Sequence, residues 1–155
     1  FGDILGAGLN YEGKFDTIGL AAAFTGEMGD ADTAAVEDLR AWNIGTVLSF
    51  SGFSLAGSYG DWSDSGNANN SDSDYYTLGG AYDFGPFGAS VTWLDSNVEV
   101  AGVDNDFQNL VIGADYSLAP GLTPYAEVSF FDADAAGAAL DNEGTILLLG
   151  TELAF

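Results

Sequence analysis

Gly144-Thr145-Ile146-Leu147-Leu148-Leu149-Gly150-Thr151-Glu152-Leu153-Ala154-Phe155 alternates between two kinds of surface and finishes on an aromatic residue. Thr145, Leu147, Leu149, Thr151, Leu153 and Phe155 fall on one face, and Ile146, Leu148, Gly150, Glu152 and Ala154 on the other. This is a β-strand with one oily and one mixed face. A frayed terminus in water gives a bare Phe no partner. At the rim of a membrane barrel the same residue joins the interfacial aromatic girdle.

The same design repeats upstream. Oily faces are carried by Leu5, Ala7, Leu9 and Tyr11, by Ile18, Leu20, Ala22 and Phe24, and by Trp42, Ile44, Thr46, Leu48 and Phe50. Further copies run over Phe53–Asp61, Tyr75–Phe84, Phe87–Trp93, Gln108–Leu118 and Pro124–Asp132, which makes nine strands in all. Tight turns are expected at Glu12-Gly13-Lys14, Ser51-Gly52, Gly85-Pro86 and Ala119-Pro120-Gly121, where Gly and Pro supply positive and fixed φ. Long acidic connections are expected at 26–40, 63–74, 95–106 and 132–143. A short helix over Thr33–Leu39 is allowed by Asp32 and Thr33 as N-caps.

Short turns on one side and long loops on the other are the asymmetry of a membrane barrel. Aromatic residues sit at both ends of the oily faces: Phe15, Phe50, Phe53, Phe84, Phe87, Tyr116 and Phe155 by the turns, and Phe24, Trp42, Tyr59, Tyr76, Trp93 and Phe130 by the loops. Two girdles, one per interface, are the reading, with Trp42, Phe50, Phe84, Trp93, Tyr116 and Phe155 as their clearest members. A soluble all-β sandwich would also alternate. Against it, the mixed face is rich in Gly, Ala, Ser and Asn and nearly free of the Lys, Arg and Glu expected on a solvated sheet.

Composition narrows the function. Two basic residues, Lys14 and Arg40, face 24 acidic ones for a formal net charge of −22, so nucleic acid is excluded as a partner and cations are the natural counter-ligands. A hydrophobic content of 47% argues against a disordered acidic tail. With no Cys and no His, thiolate sites and the usual zinc ligands are absent, and enzymatic chemistry would have to run on carboxylates alone. A glycosidase needs two of them at a set separation across a cleft, for which the sequence offers no pocket. No apolar run reaches the length of a transmembrane helix.

Gly8-Leu9-Asn10-Tyr11-Glu12-Gly13-Lys14-Phe15, Gly121-Leu122-Thr123-Pro124-Tyr125-Ala126-Glu127-Val128-Ser129 and the closing Asn142 to Phe155 resemble the Gram-negative general porins of the alphaproteobacterial type. The resemblance implies a sixteen-stranded, usually trimeric, water-filled barrel with an inward-folded loop forming a constriction. Nine strands are an odd number for a single-chain bacterial barrel. The expectation is therefore that residues 1–155 form one β-barrel domain that is the C-terminal half of a longer barrel. An eight- or ten-stranded barrel filled by its own side chains, with a structural or adhesive role, is the alternative.

On this reading the protein passes ions and small hydrophilic solutes passively, with a cation bias, and has outer-membrane lipid as its surroundings. Pore-lining candidates on the mixed face are Asn10, Asn43, Asp83, Asn109, Asp115, Glu127 and Glu152. The four acids lie near short turns or the C-terminus, where an acidic patch attracts cations. No cofactor is required. Asp72, Asp74, Asp104 and Asp106, hard oxygen ligands in the long loops, are candidates for calcium.

Overall fold

The computed structural model describes residues 2–32, 37–62, 72–100, 103–135 and 141–154. Nine strands form one antiparallel sheet in sequence order: β1 (Gly2–Phe15), β2 (Ile18–Asp30), β3 (Leu39–Phe50), β4 (Phe53–Asp61), β5 (Ser73–Phe84), β6 (Phe87–Val100), β7 (Val103–Tyr116), β8 (Leu122–Asp134) and β9 (Asn142–Leu153). Each strand pairs with its neighbours in sequence, and β1 and β9 form the two edges. A sandwich would lay a second sheet on the oily face. Among the described residues nothing covers that face.

Among the described residues Ala41 is the one buried apolar side chain, and no large side chain is fully buried. Leu9 is 75% exposed and Leu149 70%. Directly opposed residues share a face, and the registers line up Leu48, Leu55, Gly80, Val91, Ile112, Val128 and Leu147 in one apolar row across seven strands. Burial of this surface must come from outside the sheet, and hydrocarbon supplies it while the strand ladder satisfies the backbone. Thr46, a polar residue on the same face, donates its hydroxyl to the Ala21 carbonyl at 3.2 Å.

The turns follow their residues. Ser51 and Gly52 have φ of 50° and 85°, the double positive φ of a two-residue hairpin. Gly85 at 60° precedes Pro86, and Gly121 takes 77° after Pro120. These ends are laced together: the Asp83, Ser117 and Ala154 amides donate to the Gly52, Pro86 and Gly121 carbonyls at 2.9, 2.7 and 2.9 Å.

The first turn is displaced from the expected one. Glu12, Gly13 and Lys14 stay in β1, Phe15 pairs with Ile18, and the chain reverses at Asp16-Thr17 with Asp16 at φ 56°. Asp tolerates the left-handed region, and the strand runs on through Gly13 because the ladder with β2 persists.

The expected loop over 95–106 is also corrected. β6 continues to Val100 and β7 begins at Val103, so these residues form a paired hairpin. Asn97 Nδ2 donates to Asp106 Oδ1 at 2.9 Å and Asn105 Nδ2 to the Val98 carbonyl at 3.1 Å. Polar side chains made the segment read as a loop, whereas backbone pairing is indifferent to them once both faces lie in water. For the same reason β2, β8 and β9 extend to Asp30, Asp134 and Asn142, inside segments expected as loop. Leu39, expected in a short helix, is strand; residues 33–36 of that helix lie outside the described ones, as do most of 63–74 and Phe155.

Candidate functional site

Two aromatic bands cross the apolar face. At the short-turn end Phe53 stacks on Tyr82 at 4.0 Å between centroids, Tyr82 on Phe84 at 5.5 Å, Phe84 on Phe87 at 5.3 Å, and Phe87 meets Tyr116 at 4.6 Å. At the other end Phe24, Trp42 and Tyr59 follow at 6.3 and 5.3 Å, and Tyr76 meets Trp93 edge-on at 5.1 Å. Phe50 opposes Phe53 in register. Tyr76 and Phe84 are eight positions apart on β5, which at strand rise and barrel tilt is a band about 20 Å tall. No charged residue lies on the apolar face between the bands among the described residues.

Charge collects in two other places. Beyond the Tyr59–Tyr76–Trp93 band, Asp61 opposes Asp74, Asp74 opposes Asn97, Asn97 opposes Asp106, and Asp106 opposes Asp134. Asp104 opposes Glu99, whose amide donates to the Asp72 carbonyl at 2.8 Å. The four calcium candidates are thus gathered at one rim, yet the described residues hold no group of three acids arranged to hold a metal ion. Like-charge crowding is evident at Asp134. Asp132 above all, then lost solvation, Asp141 and Asp106, push its carboxyl above the usual range.

The second collection is on the mixed face. Asp83 opposes Gly88, Gly88 opposes Asp115, and Asp115 opposes Tyr125, so the two aspartates share one row. Glu127, opposite Gly113 and Leu148, lies one row toward the long connections; Glu152, opposite Thr123, lies one row toward the turns. Sequence parity placed these acids on one face, and the registers bring Asp115, Glu127 and Glu152 around a recess of about 420 Å³ with Tyr125 and Thr123. Asn10 and Asn43 are on the same face but on β1 and β3, apart from the acids. Asn109, on β7, accepts a hydrogen bond from the Ser129 hydroxyl at 2.7 Å. Lys14 sits on β1 and Arg40 on β3, so neither basic residue is near the recess.

Sequence reasoning passed over Tyr125. Its parity put it among the acids, and what makes it part of the site is its cross-strand partner Gly150. Elsewhere the mixed face carries small polar residues, such as Ser58 and Thr77, which share a hydroxyl hydrogen bond of 2.6 Å, beside apolar ones such as Val47 and Leu148.

A nine-stranded antiparallel meander, bare and apolar between two aromatic bands and polar behind, is the wall of a bacterial outer-membrane β-barrel, and the protein resides in that membrane. The chain belongs to the Gram-negative porin family, whose family model matches residues 1–136. It is similar to solved structures of OmpT, an outer membrane protein of Vibrio cholerae. Its loop L8 deletion mutant aligns with a TM-score of 0.69 at 15% identity, over 97% of this chain and 53% of that one. The in-vitro folded OmpT aligns at 0.62 and 15% identity, over 96% and 52%. Among curated relatives, the uncharacterized protein RT0064 of Rickettsia typhi is 29% identical over 99% of this chain and 41% of its own length. A Rickettsia conorii protein, RC0098, gives the same figures. The chain therefore spans about two-fifths of the curated relatives it matches.

Proposed function

We propose that the protein is a water-filled porin of the alphaproteobacterial general type, passing ions and small hydrophilic solutes by passive diffusion with a preference for cations. The observation that carries the reading is the mixed face. Small residues such as Gly6, Gly8, Ala21, Ala23 and Gly45 leave space in front of the wall, while Asp83, Asp115, Glu127 and Glu152 put negative charge on it with no basic residue among them. Carboxylates lining an aqueous path attract cations and repel anions. The reading assigns no catalysis and needs no cofactor; calcium held by Asp72, Asp74, Asp104 and Asp106 is a separate proposal, and a chelator that lowers the unfolding midpoint would support it.

The nine strands are proposed to be part of a sixteen-stranded barrel, with the short turns on the periplasmic side. The lengths of the relatives support a longer barrel. A homotrimer is proposed as the assembly. It is supported by a depression of about 720 Å³ on the apolar face, where Gly80 and Ala89 lie between Leu55, Tyr82, Val91 and Ile112 and leave room for a neighbour's side chains.

The test is the reversal potential of the natural protein in a planar bilayer across a KCl gradient. The expected result is cation selectivity that falls severalfold when Asp83, Asp115, Glu127 and Glu152 are replaced by Asn or Gln, and that shrinks toward 1 M salt as the Debye length falls to about 3 Å. Absence of conductance sinks the reading and favours the structural or adhesive barrel; anion selectivity removes the cation preference and leaves a conducting pore.

A further inference from the structure

On the mixed face Tyr125 lies with the end of its ring against Gly150. A methyl built on Gly150 would sit 2.7 Å from Tyr125 Cε1 and closer still to Cζ and Oη, so the ring occupies the space any side chain at 150 would need. The end of the ring thus covers Gly150 on β9, and the residue is still 36% exposed. Asp115 opposes it across β7 and β8, Glu127 is two residues on, and Glu152 is two residues beyond Gly150. Tyr125 thus lines the 420 Å³ recess together with the three carboxylates Asp115, Glu127 and Glu152. That volume lies within the range of small-molecule pockets.

A second feature adjoins it. Leu148 opposes Glu127, Ile146 follows on the same face of β9, and these two apolar side chains on the polar side of the sheet are 46% and 54% exposed. Phe131, which lies over Gly144 as Tyr125 lies over Gly150, continues the strip. A wettable wall has no use for such a strip. An apolar body lying along Ile146 and Leu148 would place a positive head over Tyr125, where ring quadrupole and carboxylates both favour it. An inorganic cation gains only from the carboxylates, and an anion is repelled.

We propose that the β7–β9 wall is a binding site for organic cations that join an ammonium group to an apolar body, with Tyr125 as the aromatic partner of the ammonium and Gly150 as the positioning residue that leaves room for the ring. This rests on the porin reading, in which the mixed face is the aqueous wall.

The test is equilibrium binding of benzyltrimethylammonium to the natural protein folded in detergent, by titration calorimetry, with tetramethylammonium as the head-only control. Saturable binding is expected, tighter for the benzyl compound. Tyr125→Phe keeps it, since the ring and not the hydroxyl is used. Tyr125→Leu weakens it about threefold or more. Gly150→Ala, which leaves every carboxylate in place and lifts the ring, weakens it comparably, and Leu148→Ser removes the advantage of the benzyl group. Each variant is first checked for folding by heat-modifiable gel mobility. Should Gly150→Ala fail to fold, the Phe and Leu variants at 125 decide. Absence of saturable binding, or equal affinity in the Tyr125→Leu and wild-type proteins, overturns the site. Single-channel conductance in KCl is recorded on the same preparation. Conductance without binding removes this site and leaves the porin; binding without conductance leaves the site and removes the porin.

Discussion

Phe53 and Tyr82 face each other across β4 and β5 with centroids 4.0 Å apart and planes inclined by 24°, the closest ring pair of the band at the short turns. Such a pair is worth about 1 kcal/mol beyond its area. In a double-mutant cycle of Phe53→Leu and Tyr82→Leu, measured by urea unfolding from phospholipid vesicles, a coupling of about that size is expected. A coupling near zero would mean that the rings merely lie side by side in the interface.

Val91 and Thr92 are consecutive, and the pleat sends them to opposite faces, Val91 between Gly80 and Ile112 and Thr92 between Gly79 and Val111. Val91→Arg is expected to cost about 2–4 kcal/mol, the penalty of a basic residue near the bilayer midplane. Thr92→Arg, on the mixed face, should cost well under 1 kcal/mol and, on the proposed function, lower cation selectivity instead. Equal costs would mean that the two faces are not lipid and water.

The β3–β4 turn tolerates only certain residues. Gly52 has φ 85°, and a methyl there would sit 2.5 Å from the Asp83 carbonyl oxygen. Gly52→Ala is expected to destabilise by about 1 kcal/mol or more. Ser51, at φ 50°, is a non-glycine residue in the left-handed region, and Ser51→Asn should raise the unfolding midpoint slightly, since Asn visits that region more easily.

Asp134 is expected to make the stability of the rim at the long connections depend on pH. Its carboxyl is raised above the ordinary value, chiefly by Asp132. For an acid whose folded value is raised, the stabilising contribution is present below the unfolded value and is lost as pH rises through the folded one. The rim should therefore tighten as pH falls into the carboxylate range. Asp134→Asn is expected to raise the unfolding midpoint at neutral pH and low salt, with the gain vanishing at acid pH. A gain that persists under acid conditions would point to a cause other than repulsion.

The period-two alternation alone determined which residues share the apolar face and which the mixed one, because a one-residue step reverses the side chain, and so the aromatic bands that hold Trp42, Phe84 and Trp93 were legible. The turns at Ser51-Gly52 and Gly85-Pro86 were legible as well, since positive φ narrows the residue choice. Where a strand ends in water was not. Asp95 to Asp106 carries loop-like residues on a paired hairpin, and Gly13 sits inside a strand, because backbone hydrogen bonds hold the ladder whatever the side chains are. Only the tertiary structure decided that Tyr125 lies on Gly150 with Asp115 as its neighbour, and that Asp106 and Asp134 crowd each other. These are matters of register between strands, set by the turns and the ladder as a whole, and no single strand carries that information.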